Sequence, residues 1–262
     1  MKNIIITGST RGIGFCMAKE FLKAGCNVTI SGRGKKFPEE LKNKFLGHEN
    51  KIIYVPCDVR KINEVKNLWR QSVDRWGRID IWINNAGQNC PYKFCYETET
   101  SFVDTIIDIN IKGMIYGSQV AAKNMLKQGN GQIWNMEGLG SNNMIQEKTI
   151  IYGTSKRALT YFTKALAKEL KNTSVTAGRL SPGMMVTDLI TKSPEGGVSP
   201  VIKDKGFRFI FNVLGDRPET VAKFFVPRIL ANRKNDAQIV WLTKLKTIWR
   251  FITIPFNKRQ LI

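Results

Sequence analysis

Seven short runs rich in isoleucine and valine recur along the chain, spaced so that most pairs leave room for one amphipathic helix between them. They are NIIIT at residues 3–7, NVTIS at 27–31, KIIYVPCD at 51–58, IDIWINNAG at 79–87, GQIWNM at 131–136, SVTAGRLS at 174–181 and AQIVWLT at 237–243. Runs that are apolar nearly throughout suit strands buried on both faces, and a helix between successive strands supplies a parallel crossover. The pattern predicts an α/β fold: a Rossmann-type doubly wound parallel sheet of about seven strands, helices on both faces, in one domain over 1–262. No repeat or linker divides the chain. Residues 188–216 form the one long stretch without a clear period, which reads as a substrate lid.

The first run leads straight into Gly8, Ser9, Thr10, Arg11, Gly12, Ile13 and Gly14, and then into a helical pattern. Glycines between a first strand and a first helix let a backbone approach a pyrophosphate, and the helix amino terminus offers unpaired N–H groups to it. An acid at the end of the second strand would select NAD by bonding the ribose hydroxyls. Here Ser31, Gly32 and Arg33 stand instead, 19 residues separate Arg33 from Gly14, and Arg11 lies in the glycine turn. Two guanidiniums suit a 2′-phosphate, so NADP(H) is the expected cofactor.

Of the six tyrosines, only Tyr152 is followed four residues later by a lysine, Lys156. On a helix the two share a face, which predicts an ammonium beside a phenol and a proton carrier near neutral pH. The composition adds less. Hydrophobic residues at 42% and charged ones at 24% are ordinary for a globule, but 41 Lys and Arg against 21 Asp and Glu give a net charge of +20 that favours anionic partners. Nucleic acid is not expected, because no binding motif organises the basic residues. The five cysteines are scattered and suggest reduced thiols in the cytoplasm, and His48 is the sole histidine, so no metal site is expected. The sequence enters a strand at once, which reads as leaving no room for a leader, and it has no apolar run of the roughly 20 residues that span a bilayer.

The spacing TGxxxGxG, with CDV, NNAG, DINIKG, YGTSK and SPGMMVT in that order, resembles the short-chain dehydrogenase/reductase family from residue 4 to about 190. The resemblance implies hydride transfer between a nicotinamide and a carbonyl or alcohol carbon. Asp58 and Val59 would meet the adenine; Asn85, Ala86 and Gly87 would line the cofactor, and Pro182, Gly183, Met185 and Thr187 would sit by the carboxamide. Tyr152 would pass the proton, Lys156 would lower the phenol's pKa and bind the ribose, and Asn110 would hold a relay water. A homodimer or homotetramer is also implied. The family's serine is harder to place: thirteen residues before Tyr152 stands Leu139, and alignment on Asn135 reaches Gly138. Ser141 is the nearest hydroxyl and the candidate fourth catalytic residue, with Glu137 or the Gly138–Gly140 backbone as alternatives.

WNMEGLGS, SPGMMVTDLI and RPETVAKFFVPRI together resemble one branch of that family, the chlorophyll b reductases of plants and their bacterial relatives. The expected reaction is therefore NADPH-dependent reduction of a carbonyl on a bulky apolar substrate such as a pigment or steroid. The alternatives are a reductase of 3-oxoacyl groups on an acidic carrier protein, and an NADPH-sensing protein without turnover. Residues 241–262 carry five Lys or Arg, no acid and several aromatics. They suit either an anionic membrane surface or packing on the fold, and packing is preferred.

Overall fold

Each of the seven runs is a strand: β1 (Asn3–Ile6), β2 (Asn27–Gly32), β3 (Ile52–Pro56), β4 (Ile81–Asn84), β5 (Gly131–Met136), β6 (Val175–Ser181) and β7 (Ala237–Val240). They form one sheet, parallel throughout, in the order β3-β2-β1-β4-β5-β6-β7. The structure is a computed structural model and describes residues 1–256 and 259–262. The helices are α1 (Gly12–Lys23), α2 (Glu39–Asn43), α3 (Ile62–Trp76), α4 (Thr100–Ile106), α5 (Gly113–Gln128), α6 (Ile150–Glu169), α7 (Asp188–Thr191), α8 (Lys205–Leu214), α9 (Pro218–Ala231) and α10 (Lys244–Ile252).

Alternate side chains of the central strands enter two cores. Ile4 and Ile6 of β1 pack with Met17 and Phe21 of α1 and Phe225 of α9, whereas Ile5 packs among Leu68, Trp69 and Val120 of α3 and α5. In β4, Ile81 and Ile83 face the first core and Trp82 the second. Burial on both faces is why these strands read as unbroken apolar runs.

The chain builds outward from β1 through β2 to β3, then returns to place β4 on the other side of β1. Loops leaving β1 and β4 therefore part at the carboxyl ends of those strands, where ligands of doubly wound sheets bind. Residues 188–216, expected to be irregular, are largely helical instead. They hold α7, a 3-10 turn at Pro200–Lys203 and α8, with Lys192 bridged to Val198. The local cause at α8 is a cap: the Asp204 carboxylate accepts the Phe207 N–H at 2.6 Å. No helix among the described residues is long and apolar enough to cross a membrane.

Candidate active site

The turn after β1 is held by the turn after β4. Asn85 Nδ2 donates to the carbonyls of Thr7 and Gly8, both at 2.9 Å, while Asn85 N and Ala86 N donate to Thr7 Oγ1 at 3.0 and 3.1 Å. A Cβ on Gly8 would lie 2.8 Å from Ala86 Cα, and one on Gly14 would lie 2.4 Å from Asn85 Nδ2. Glycine is thus required at both positions by the protein's own packing. Gly8 in addition has φ +59°, a left-handed conformation that side chains disfavour. Ser9 faces inward, its hydroxyl donating to Ile6 O at 2.7 Å and accepting from Ser31 N at 3.0 Å, which ties the turn to β2. Thr10 packs so closely on Gly32 that a Cβ there would be 2.8 Å from its methyl. Arg11 and Arg33 each directly follow one member of that contact and both are exposed, so they flank one corner of the crevice. Arg11 also reaches Asp188 at 3.5 Å.

The other cofactor candidates close the crevice. The Thr187 methyl stands 3.7 Å from where a Cβ on Gly12 would lie, so the segment after β6 folds back over the start of α1, where Ile13 begins the helix. Pro182 and Met185 are buried and Gly183 is exposed; Met184 O and Val186 N pair with the backbone of Asp216 at 3.0 Å each. Asp58 is gripped by Arg60 at 2.6 Å, which holds its carboxyl below the usual range. Val59 packs against Gly113 at the start of α5.

Tyr152 and Lys156 lie on α6, both buried, with the ammonium 5.7 Å from the phenol ring centre. Lys156 Nζ donates to Met136 O at 3.1 Å. Burial lowers its pKa to about 8, opposed by the nearby Glu137 carboxylate. For Tyr152 the expected downward shift is not what the structure gives: burial raises the pKa of the phenol. Asn110 sits in a π-helical turn, Ile107–Lys112, between α4 and α5. Its side chain accepts from Gln88 N at 2.9 Å and donates to Gln88 O and Ser155 Oγ, both at 3.0 Å, pinning the loop after β4 to α6. Gly87 is the hub: a Cβ on it would be 3.4 Å from Asn110 Oδ1 and 3.7 Å from Lys156 Nζ.

This geometry agrees with what the chain is similar to. The family described as short chain dehydrogenase matches residues 2–196. The chain belongs to that family. It is 36% identical to the chlorophyll(ide) b reductase NOL, chloroplastic, of Oryza sativa subsp. japonica, over 98% of this chain and 76% of that protein. It is 38% identical to the same-named protein of Arabidopsis thaliana, over 87% of this chain and 65% of that one. Among solved structures, ElxO with NADP bound superposes with a TM-score of 0.79 at 26% identity, covering 91% of this chain and 96% of ElxO. As a member of the short chain dehydrogenase family the protein is an oxidoreductase.

Its departure from the family pattern lies in the loop after β5. Gly138, one of the two positions the resemblance marks for a serine, faces Tyr152 so closely that a Cβ would lie 2.5 Å from the phenol oxygen. The structure does not bring Ser141 to that place. Its hydroxyl accepts from Gly138 N and donates to Lys156 O, each at 3.2 Å, which ties the loop to α6 from behind. Glu137 is no donor either: its carboxylate accepts from Thr160 Oγ1 at 3.2 Å and Gln238 Nε2 at 2.8 Å and lies 3.9 Å from Arg179. The motif reading missed a buried chain in which Asn84 accepts from Trp82 Nε1 at 2.7 Å and donates to Ser118 and Asn135 at 2.9 and 2.7 Å. Asn135 continues it to Thr163 at 2.8 Å. Asparagines inside two strand runs were its only sequence signal.

The surroundings of Tyr152 are apolar: Cys90, Phe102, Ile106, Leu139, Ile151 and Leu189 cluster with it. The loop after β4 meets the 188–216 segment beside this cluster, Asn89 donating to Leu189 O at 3.0 Å and Lys93 pairing with Glu195. A surface groove lies elsewhere, between α3, α5 and α6, and includes none of these residues. Among the described residues no group of three His, Cys, Asp or Glu is placed to hold a metal.

Proposed function

We propose that the protein is an NADPH-dependent reductase of a carbonyl on a bulky, largely apolar substrate, of the size and character of a chlorophyll-type pigment or a steroid. The observation that carries this reading is the Tyr152 phenol set among apolar side chains, with Lys156 one helical turn on and no side chain at position 138 to crowd it. The names of the plant relatives point the same way. So does the fit of the crevice to a dinucleotide phosphate: a glycine turn, a helix start and two exposed arginines with no acid at the end of β2.

NADPH, when bound, supplies the hydride to the carbonyl carbon. The chain's own residues do the rest. Arg33 and Arg11 would hold the 2′-phosphate, Arg11 exchanging its long contact with Asp188 for it. Tyr152 donates its phenolic proton to the carbonyl oxygen, and Lys156, held by Met136, supports the phenolate left behind. Asn110 has committed its side chain to Gln88 and Ser155, so it acts by fixing the loop beside Lys156. Leu139, Ile151 and Leu189 exclude water from the reacting carbon.

We expect a homodimer or homotetramer, and the groove between α3, α5 and α6 is a fitting face for a second copy, since it offers Lys66 and Lys123 alongside Asp74 and Glu169. The cytoplasm is the proposed compartment, on the strength of five free cysteines. The deciding test of function is NADPH oxidation by the purified protein against a carbonyl panel. Turnover of formyl-bearing tetrapyrroles or steroid ketones, with short aldehydes poor, is expected. Preferential turnover of acetoacetyl groups on a carrier protein would instead favour the acyl reading, for which the net charge of +20 is the supporting observation.

A further inference from the structure

Helix α10 is built inside out. Its apolar residues Leu245, Ile248, Trp249 and Ile252 fall at i, i+3, i+4 and i+7, the stripe that ordinarily packs on a core, yet they are 80%, 56%, 66% and 63% exposed. The face turned to the protein is basic. Arg250 donates to Asp216 at 2.7 Å and to Leu214 O at 2.8 Å, and Lys246 lies over the Trp241 ring. Arg259 binds the other Asp216 oxygen at 2.7 Å, and Trp241 Nε1 donates to Asp216 at 2.6 Å. A buried carboxylate with three such donors fixes α10 in this orientation, so the exposed stripe is not a helix waiting to turn over.

The neighbouring α8 extends the same surface. It packs against α10 and exposes Phe209 and Ile210, and Phe256 is exposed beyond the end of α10. Exposed Lys203, Lys205, Arg208 and Lys244 stand among these residues, against one exposed carboxylate, Asp204, which is engaged in capping α8. A patch this apolar on a water-facing helix needs a partner. Its charge has one sign, so a two-fold contact with a second copy would set lysines and arginines against one another, unlike the groove of mixed charge between α3, α5 and α6. Aromatic and aliphatic residues ringed by basic ones fit the boundary of a bilayer with anionic headgroups.

We propose that the α8–α10 face docks the protein on an anionic lipid surface, with Trp249, Ile252 and Phe209 entering the headgroup region and the surrounding lysines and arginines meeting phosphate. The docked face adjoins the candidate cofactor site: Asp216, which anchors α10, pairs its backbone with Met184 and Val186 in the segment after β6. A lipid-borne substrate would have a short path from bilayer to Tyr152. That consequence rests on the reductase reading, whereas the docking does not.

The test is co-sedimentation of the full chain with phosphatidylcholine vesicles containing or lacking phosphatidylglycerol, across a salt series, alongside Trp249→Ser/Ile252→Ser and Lys244→Glu/Arg208→Glu variants. NADPH binding and circular dichroism report whether each variant has folded. Binding to phosphatidylglycerol vesicles is expected, about tenfold or more weaker for either variant and weakened by salt, with NADPH affinity unchanged. Failure of the wild-type chain to sediment with phosphatidylglycerol vesicles would overturn the proposal, as would equal binding by the apolar variant. A change of oligomeric state in that variant with vesicle binding intact would assign the face to a second copy instead.

Discussion

The turn after β1 and the loop after β5 lie at the same end of the sheet, yet they are constrained in different ways. In the first, residue identity follows from the backbone: Gly8 and Gly14 are glycine because Ala86 and Asn85 occupy the space a side chain would need. In the second, neither Gly138 nor Leu139, the two positions the family resemblance marks for a serine, carries a hydroxyl, and Ser141 performs a different task. Gly138 leaves room for the Tyr152 phenol, and Ser141 braces Lys156 from behind. A position fixed by the path of the chain can be read from spacing, whereas one defined by where a hydroxyl points can be exchanged for another arrangement without changing the fold.

The strongest test of the first half of this comparison is Gly14→Ala. The added methyl meets Asn85 and the Gly8 carbonyl, so the turn after β4 must move away from the turn after β1. NADPH affinity should fall by roughly a hundredfold or more, with a loss of about 1–3 kcal/mol in stability, checked by cofactor fluorescence titration and urea denaturation. Next in size is Arg33→Ala, which should weaken NADPH by roughly ten- to a hundredfold and leave NADH nearly unchanged. Equal losses for both cofactors would remove Arg33 from the 2′-phosphate site.

The second loop gives smaller effects with sharper signs. Lys156 has its pKa lowered to about 8 by burial, against the pull of Glu137, so its ammonium form is lost as pH rises through that value. The kcat/KM of the wild-type enzyme should therefore decline on the alkaline side near pH 8. Glu137→Gln removes the carboxylate that favours the charged lysine, so that limb should move to lower pH. A limb that stays in place or moves upward would show that Glu137 does not act on Lys156. Ser141→Ala should be the mildest: about 1 kcal/mol of stability lost with the bonds to Gly138 and Lys156, and turnover within a few-fold of wild type. A drop in turnover of a hundredfold or more at unchanged stability would restore Ser141 as a donor to the substrate oxygen.

Much of the fold was legible because its signals are local. All seven strand runs and the glycine turn appear where their patterns place them, since burial on both faces leaves little ambiguity in runs such as NIIIT. What was not legible depended on contacts between distant residues. The upward shift of Tyr152 comes from the burial of its phenol among residues as distant in sequence as Cys90 and Ile106. The helical character of 188–216 was obscured by its glycines and prolines, although Asp204 marks the start of α8. The outward stripe of α10 was invisible because periodicity specifies a face and not its direction. Asp216, 34 residues from Arg250, sets that direction.

The central claim is that Tyr152, facing a glycine rather than a serine, delivers the proton while the cofactor cradle stands independently of it. The most direct measurement compares wild type and Tyr152→Phe for NADPH affinity and for single-turnover oxidation of bound NADPH by the best carbonyl of the panel. The account predicts a rate lower by about a thousandfold or more for Tyr152→Phe, with NADPH affinity within about twofold of wild type. A variant that still oxidises NADPH at a rate near wild type would contradict it.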